Sequence, residues 1–223
     1  MDWMPVFISI KTAGASIIFT FFAGIFAAWL VVSMKNEVWK GIVDGLFTLP
    51  LVLPPTVAGF FLLSIFGVKR PVGRFFLEYF SIKIAFSWGA AVIAAVVMSF
   101  PLMYRSARSA FEQVDENLVA AARTLGMGEW TIFRKILLPG GLPGIVGGGI
   151  LAFARGLGEF GATAMIAGNI AGKTRTLPLA VYSETAAGNM DKAFSYVAVI
   201  VVIAFISIGI MDAAAFRSQK KKL

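Results

Sequence analysis

The stretch AGNIAGKTRTLP, residues 167–178, carries the residue types of a phosphate-binding loop. Gly172-Lys173-Thr174 matches the end of G-x-x-x-x-G-K-[ST], with Ala167 where the first glycine would stand. In such a loop backbone N–H groups cradle the phosphates and the lysine reaches their oxygens, which requires a strand before the loop and a helix after it. Here Phe160–Ile166 continues from an apolar run, Pro178 falls inside the would-be helix, and no apolar run ending in Asp follows. Nucleotide binding is not expected, and neither is an enzymatic role, because no catalytic constellation accompanies the loop. Lys173 and Arg175, with the hydroxyls of Thr174 and Thr176, read instead as a basic, donor-rich rim that docks an external protein or guides an oxyanion. A solvated loop with interfacial charges is the alternative.

A second candidate is the pair Arg155 and Glu159, spaced i, i+4 in ARGLGEFGA. Ionisable residues at membrane depth are costly and usually face a bundle interior or a wet cavity. Arg155 could lend positive potential to a passing anion while Glu159 fixes its rotamer; a self-neutralising intrahelical pair is the other reading. The chain has no cysteine and no histidine. Disulfides, zinc sites and histidine acid–base catalysis are therefore excluded within it, and no bound metal or cofactor is expected.

The elements that must position these residues are membrane spans. Of 223 residues 58% are hydrophobic and only 14% charged, with a mean hydropathy of +0.83. Soluble domains carry roughly 25% charged residues. The apolar runs Thr12–Met34, Gly45–Val68, Ile84–Tyr104, Ile136–Ala154 (extending to about residue 158) and Ala193–Met211 each approach the about 20 residues that cross a bilayer. They predict one all-α integral membrane domain of about five spans. Phe160–Gly172 is too short to cross alone and is left as a half-helix, a re-entrant segment or part of a longer span. The N-terminus lacks a basic n-region, so the first run is expected to stay as an anchor.

The stretch from Arg105 to Lys135, the tail Arg217–Lys222, Lys35 and Lys40 hold 11 of the 20 Lys and Arg. The positive-inside rule places them in the cytoplasm and the N-terminus outside. The net charge of +8 is read as headgroup-facing charge and not as a nucleic-acid footprint. Pro50, Pro54 and Pro55 remove three backbone donors from the second run, so it should kink or unwind at mid-membrane, lining a pathway or merely packing. No duplicated pair of broken helices is expected. Gly140, Gly141, Gly144, Gly147, Gly148 and Gly149 predict close helix approach in the fourth run.

The cytoplasmic stretch between the third and fourth runs should form two short amphipathic helices around a glycine turn at Gly126 and Gly128. Val114, Leu118, Ala121, Ala122 and Leu125 recur at helical spacing in the first, and Trp130, Phe133 and Ile136 begin the second, with Pro139 leading into the membrane. An apolar-faced hairpin in water wants a partner surface.

Ala120-Ala121-Ala122, Gly126 and Ile136-x-Leu138-Pro139 resemble the E-A-A-x3-G-x9-I-x-L-P loop of bacterial ABC-importer permeases, with Ala120 where many members carry Glu. The ion pair such a Glu would make to the ATPase is not carried over. LPLVLPPTVAGFFLL from Leu49, SFPLMYRSARSAFEQVD from Ser99 and LAFARGLGEFGATAMIAGNIAGKTRTLPLAVY from Leu151 are similar to the molybdate-type permeases; sulfate/thiosulfate permeases are close relatives. The resemblance implies a homodimer with a pathway on its twofold axis, two ABC ATPase subunits docked on the loops, and an external or periplasmic molybdate-binding protein. It makes Ala120, Ala121, Ala122, Leu125, Gly126, Met127, Gly128, Trp130 and Pro139 the coupling loop. Pro50, Pro54, Pro55, Arg155, Glu159, Gly161 and Thr163 become pathway candidates, and Lys173 and Arg175 the outer rim. An ATP-independent secondary transporter or channel is the alternative of another class.

Overall fold

The computed structural model describes residues 2–220, and every regular element among them is helical. Lys221 and Lys222 of the basic tail lie outside the described residues.

Helix α1 spans Met4–Val32 and starts earlier than the apolar run. Lys11 lies within it, its Nζ over the Trp88 ring, 4.2 Å from the centroid. Helices α2 (Glu37–Val52) and α3 (Pro55–Phe66) follow, then the short α4 (Pro71–Phe80) and the long α5 (Trp88–Glu112). Asn36 caps α2 by accepting from the Val38 and Trp39 N–H groups, and Ser87 caps α5 by accepting from Ala90.

Side-chain pairs give the direction of each crossing. Trp88 Nε1 donates to Thr12 Oγ1 at 3.0 Å, Thr20 and Ser99 share a 3.1 Å hydroxyl bond, and Gly24 lies against Met103. Helices α1 and α5 are therefore parallel. The chain must return across the membrane between them, and α2 and α3 supply that return in two steps. Phe47 of α2 packs on Phe100 and Tyr104 in the half of α5 that leads into α6, labelled inner, whereas Ala58 and Leu62 of α3 cluster with Ala90, Ala91 and Ala94 in the opposite half, labelled outer.

The two steps meet at a bend of 111°. Pro50 does not make it: α2 runs through that residue, and the break falls at Leu53 and Pro54, both extended, with Pro55 opening α3 at its first position.

Past α5 come α6 (Glu116–Thr124), α7 (Glu129–Ile132), a π-helical turn Phe133–Leu137 and α8 (Leu138–Leu157). The second hairpin helix expected from sequence is not separate. It joins α8 through the π turn, so one helix runs from Glu129 to Leu157 and the hairpin is shorter than residues 105–135. Helix α8 is antiparallel to α5. A Cβ on Gly144 would meet Ala110 Cβ at 2.8 Å, one on Gly141 would meet Phe111 at 3.1 Å, and one on Gly148 would clash with Ser106. The glycine stripe thus does what its spacing predicted, apart from Gly147, which faces open space.

Helices α9 (Gly161–Ile166), α10 (Leu177–Ala186) and α11 (Met190–Lys220) complete the chain. Helix α9 continues the fourth crossing: its start touches Pro55, and the Ile166 carbonyl at its end accepts from the Phe86 N–H at the outer end of the bundle. Tyr196 of α11 clusters with Val6 of α1, and Ser207 and Ile210 line a groove with Ile17 and Phe21, so α11 runs parallel to α1. Among the described residues four helices are long and apolar enough to cross, or up to five if the bent pair is one span.

Candidate functional site

Three regions hold the residues singled out from sequence. At the inner end, α6 is capped by Asp115, whose carboxylate accepts from the Asn117 N–H at 2.8 Å. It stops in a glycine C-cap: Gly126 has φ +77°, its N–H donates to the Arg123 carbonyl, and the Met127 N–H reaches back to Ala122. Arg123 spans the turn to Glu129 with two bonds of 2.8 and 3.1 Å, and that carboxylate raises the guanidinium above its ordinary value. Both groups are about half exposed, so the pair contributes only about 0.2–1 kcal/mol.

The apolar stripe read along residues 114–125 divides between two faces. Val114, Val119 and Ala122 turn inward, packing with Ile132 and Phe133, while Leu118 (56% exposed), Ala121 and Leu125 (78%) point to solvent. Met127 and Trp130 (54%) extend that exposed apolar surface; Ala120, Gly126, Gly128 and Pro139 are exposed as well. Trp130 stacks on Phe133 with centroids 5.2 Å apart, and both touch the Trp29 ring of α1 at 5.5 and 5.1 Å. The hairpin is thus anchored on one side and uncovered on the other.

At mid-depth the fourth crossing also breaks, over Gly158–Phe160, so of the readings left open for Phe160–Gly172 the short helix α9 at the end of a broken crossing is the one observed. The two breaks meet. A Cβ on Gly161 would lie 2.8 Å from Pro55 Cβ, and one on Gly59 would lie 2.7 Å from Ala162 Cα, so α3 and α9 touch backbone to backbone. Glu159, 2% exposed, is satisfied on both oxygens: Oε2 accepts from Arg155 Nη1 at 2.6 Å and Oε1 from the Ala162 N–H at 2.9 Å. The carboxylate therefore holds α9 onto the end of α8 while neutralising Arg155. Thr163 is buried beside it, Pro50 is half-buried, and Pro54 and Pro55 are exposed.

At the outer end Gly168 and Gly172 have φ +72° and +73°. The N–H groups of Lys173, Thr174 and Arg175 all turn onto the Ile170 carbonyl, and the buried Thr174 hydroxyl accepts from the Ile170 N–H. The amides that a phosphate loop would aim at its anion are spent inside this turn. Arg175 Nε donates to Asn169 Oδ1 at 2.9 Å, which leaves exposed Lys173 as the more available cation of the rim.

Residues 20–220 match the family described as the binding-protein-dependent transport system inner membrane component. The chain belongs to that family. Among similar proteins, the permease shares 49% identity with a molybdenum transport system permease protein of Escherichia coli (strain K12), covering 82% of this chain and 79% of the relative. It is 37% identical to one from Haemophilus influenzae over 99% of this chain and 96% of the relative. A putative one from Bacillus subtilis is 43% identical over 91% and 88%. The MetNI methionine ABC transporter in inward-facing form superposes with a TM-score of 0.76 at 18% identity, covering 97% of this chain and 99% of that one, which shows the shared fold.

One cluster of the permease was not singled out from sequence. Asp44 of α2 bonds Arg108 Nη1 at 2.5 Å and accepts from Tyr104 Oη at 2.8 Å, and Arg108 Nε donates to Glu112 at 2.8 Å. The available signal was Asp44 itself, the last acidic residue before Glu78, placed at the edge of an apolar run.

Proposed function

We propose that this chain is the permease subunit of an ATP-driven importer for molybdate, with tungstate, the same kind of tetrahedral dianion, carried alongside it. It works in the inner membrane as a homodimer surrounded by lipid, its N-terminus outside and its C-terminus in the cytoplasm. Two ABC ATPase subunits dock on the hairpins and an external molybdate-binding protein delivers the anion. Hydrolysis resides in the ATPase partners, and this chain carries no cofactor. The observation that carries the reading is the uncovered apolar face of Leu118, Ala121, Leu125, Met127 and Trp130 on a hairpin anchored to three crossings. A face of that kind fits a protein cleft. The choice of molybdate is supported by relatives that are molybdenum transport permeases along most of their length.

The meeting of the two breaks is the proposed pathway level, since irregular backbone at membrane depth belongs where it is packed or lines a wet cavity. Glu159 already neutralises Arg155 there. The site is thus built to pass a dianion, not to retain one, and selection falls to the binding protein. The test is ATP hydrolysis and anion uptake in proteoliposomes holding this chain, its ATPase and a loaded binding protein. Molybdate-stimulated hydrolysis with uptake is expected. Uptake that persists without the ATPase and collapses with a protonophore overturns the reading, and preference for sulfate overturns the cargo.

A further inference from the structure

We propose that Asp44, Tyr104 and Arg108 form a clasp that passes movement of the coupling hairpin to the broken second crossing. This inference rests on the importer reading given above and names positioning residues within it.

Among the described residues, Arg108–Asp44 is the one ion pair that joins two different crossings. Lys40–Glu37, Arg74–Glu78, Arg108–Glu112 and Arg155–Glu159 are i, i+3 or i, i+4 pairs, and Arg123–Glu129 closes the hairpin turn. The clasp ties elements with very different anchorage. Helix α5 is packed between α1 and α8 along its length, with Met103, Tyr104 and Ala107 fully buried. Helix α2 has no buried residue. Its main hold on the rest of the molecule is α5, through Asp44 and through Phe47 against Phe100 and Tyr104. Between helices in lipid there is little hydrophobic force to keep such an arm in place. A charge-assisted pair with a second donor on the same oxygen fixes both distance and direction.

The clasp is also in the right place. Arg108 lies about one turn before the end of α5, next to the capped start of α6. The far end of α2 is the Leu53–Pro54 break, and the helix after it, α3, rests on Gly161 and Ala162 beside the Arg155–Glu159 pair. A push on the hairpin displaces the inner end of α5. With the clasp closed α2 follows, and its far end moves at the junction of the two breaks. With the clasp open α5 can slip against an arm held mainly by apolar contact through Val43 and Phe47.

The test measures uptake and ATP hydrolysis in the same proteoliposomes, for Asp44→Asn, Asp44→Glu and Tyr104→Phe. Asp44→Asn should lower the anion carried per ATP hydrolysed by between about twofold and about thirtyfold, the range of a residue that modulates coupling without touching a ligand. Hydrolysis and affinity for the ATPase should stay as in the unmodified chain. Asp44→Glu, which keeps the charge, should restore most of the ratio, and Tyr104→Phe should lower it less than Asp44→Asn does. If Asp44→Asn does not fold, Tyr104→Phe carries the test, since it removes one hydroxyl and no charge. An unchanged ratio overturns the clasp, as does a parallel loss of hydrolysis and uptake. Failure of the unmodified chain to stimulate hydrolysis at all overturns the importer reading and the clasp with it.

Discussion

Leu125→Ala is the sharpest perturbation of the proposed coupling surface. The residue follows the last turn of α6 and is 78% exposed, so nearly all of its burial energy is still to be gained on docking. Trimming leucine to alanine removes three carbons, worth about 0.8 kcal/mol each when fully buried. Scaled by the exposed fraction, the loss on docking is about 1.5–2 kcal/mol, or about ten- to thirtyfold in affinity per hairpin. The stability of the free permease should hardly change, because the side chain supports nothing inside it. The assay titrates the ATPase subunit against permease in nanodiscs and reads the half-saturating concentration for anion-stimulated hydrolysis, with Ile170→Ala at the outer end as the matched control. A half-saturating concentration within about twofold of the unmodified protein refutes the argument, since a docked leucine cannot be that cheap to lose.

Two further outcomes follow from the geometry. Gly126→Ala has open space around its Cβ but must hold φ +77°, so it should loosen the C-cap of α6 by about 1–2 kcal/mol. Faster hydrogen exchange at Leu125, Gly126 and Met127, with α8 unchanged, would be the sign, and Gly126→Asn should lose less. At the mid-depth junction, Glu159→Ala strands Arg155 and frees the Ala162 N–H, at a cost of about 3–5 kcal/mol. The double variant Arg155→Met with Glu159→Ala should recover part of that in detergent melting; equal melting temperatures for the single and double variants would sink the account.

That the chain is all-helical with four to five candidate crossings was readable from its uncharged runs, because crossing hydrocarbon forces length and apolarity on the chain whatever it packs against. The glycine turn at Gly126 was readable for a local reason, the positive φ that a C-cap asks for. What sequence did not give depends on which neighbour covers a face. Helical spacing grouped Leu118, Ala121 and Leu125 with Val114 and Ala122, yet Ile132 and Phe133 take only the Val119–Ala122 side. The short run Phe160–Gly172 stood out in sequence, but its length alone could not decide whether it continued the fourth crossing, which depends on the packing of α9 against α3. Pro50, the first of three prolines, proved compatible with an unbroken helix, and the bend moved to Leu53 and Pro54, where two successive residues are extended.

Where the chain is tight and where it is loose together limit how a hairpin push can be used in the proposed cycle. At the inner end α5 and α8 approach so closely through Gly141, Gly144 and Gly148 that even a methyl group would have to displace a neighbour. Close-packed backbones of that kind move as one body. Such a stem transmits strain more readily than it absorbs it, so a displacement at α6 is passed on towards the breaks. The second and fourth crossings each offer a short non-helical break, and these breaks touch. Rotation at one therefore cannot be independent of the other: Pro55 and Gly161 leave no space between them, and Glu159 ties α9 to the last turn of α8. A single input at the hairpin thus reaches the junction by two routes, along α8 directly and along α5 and α2 through the Asp44–Arg108 pair, and a pathway gated there responds to both.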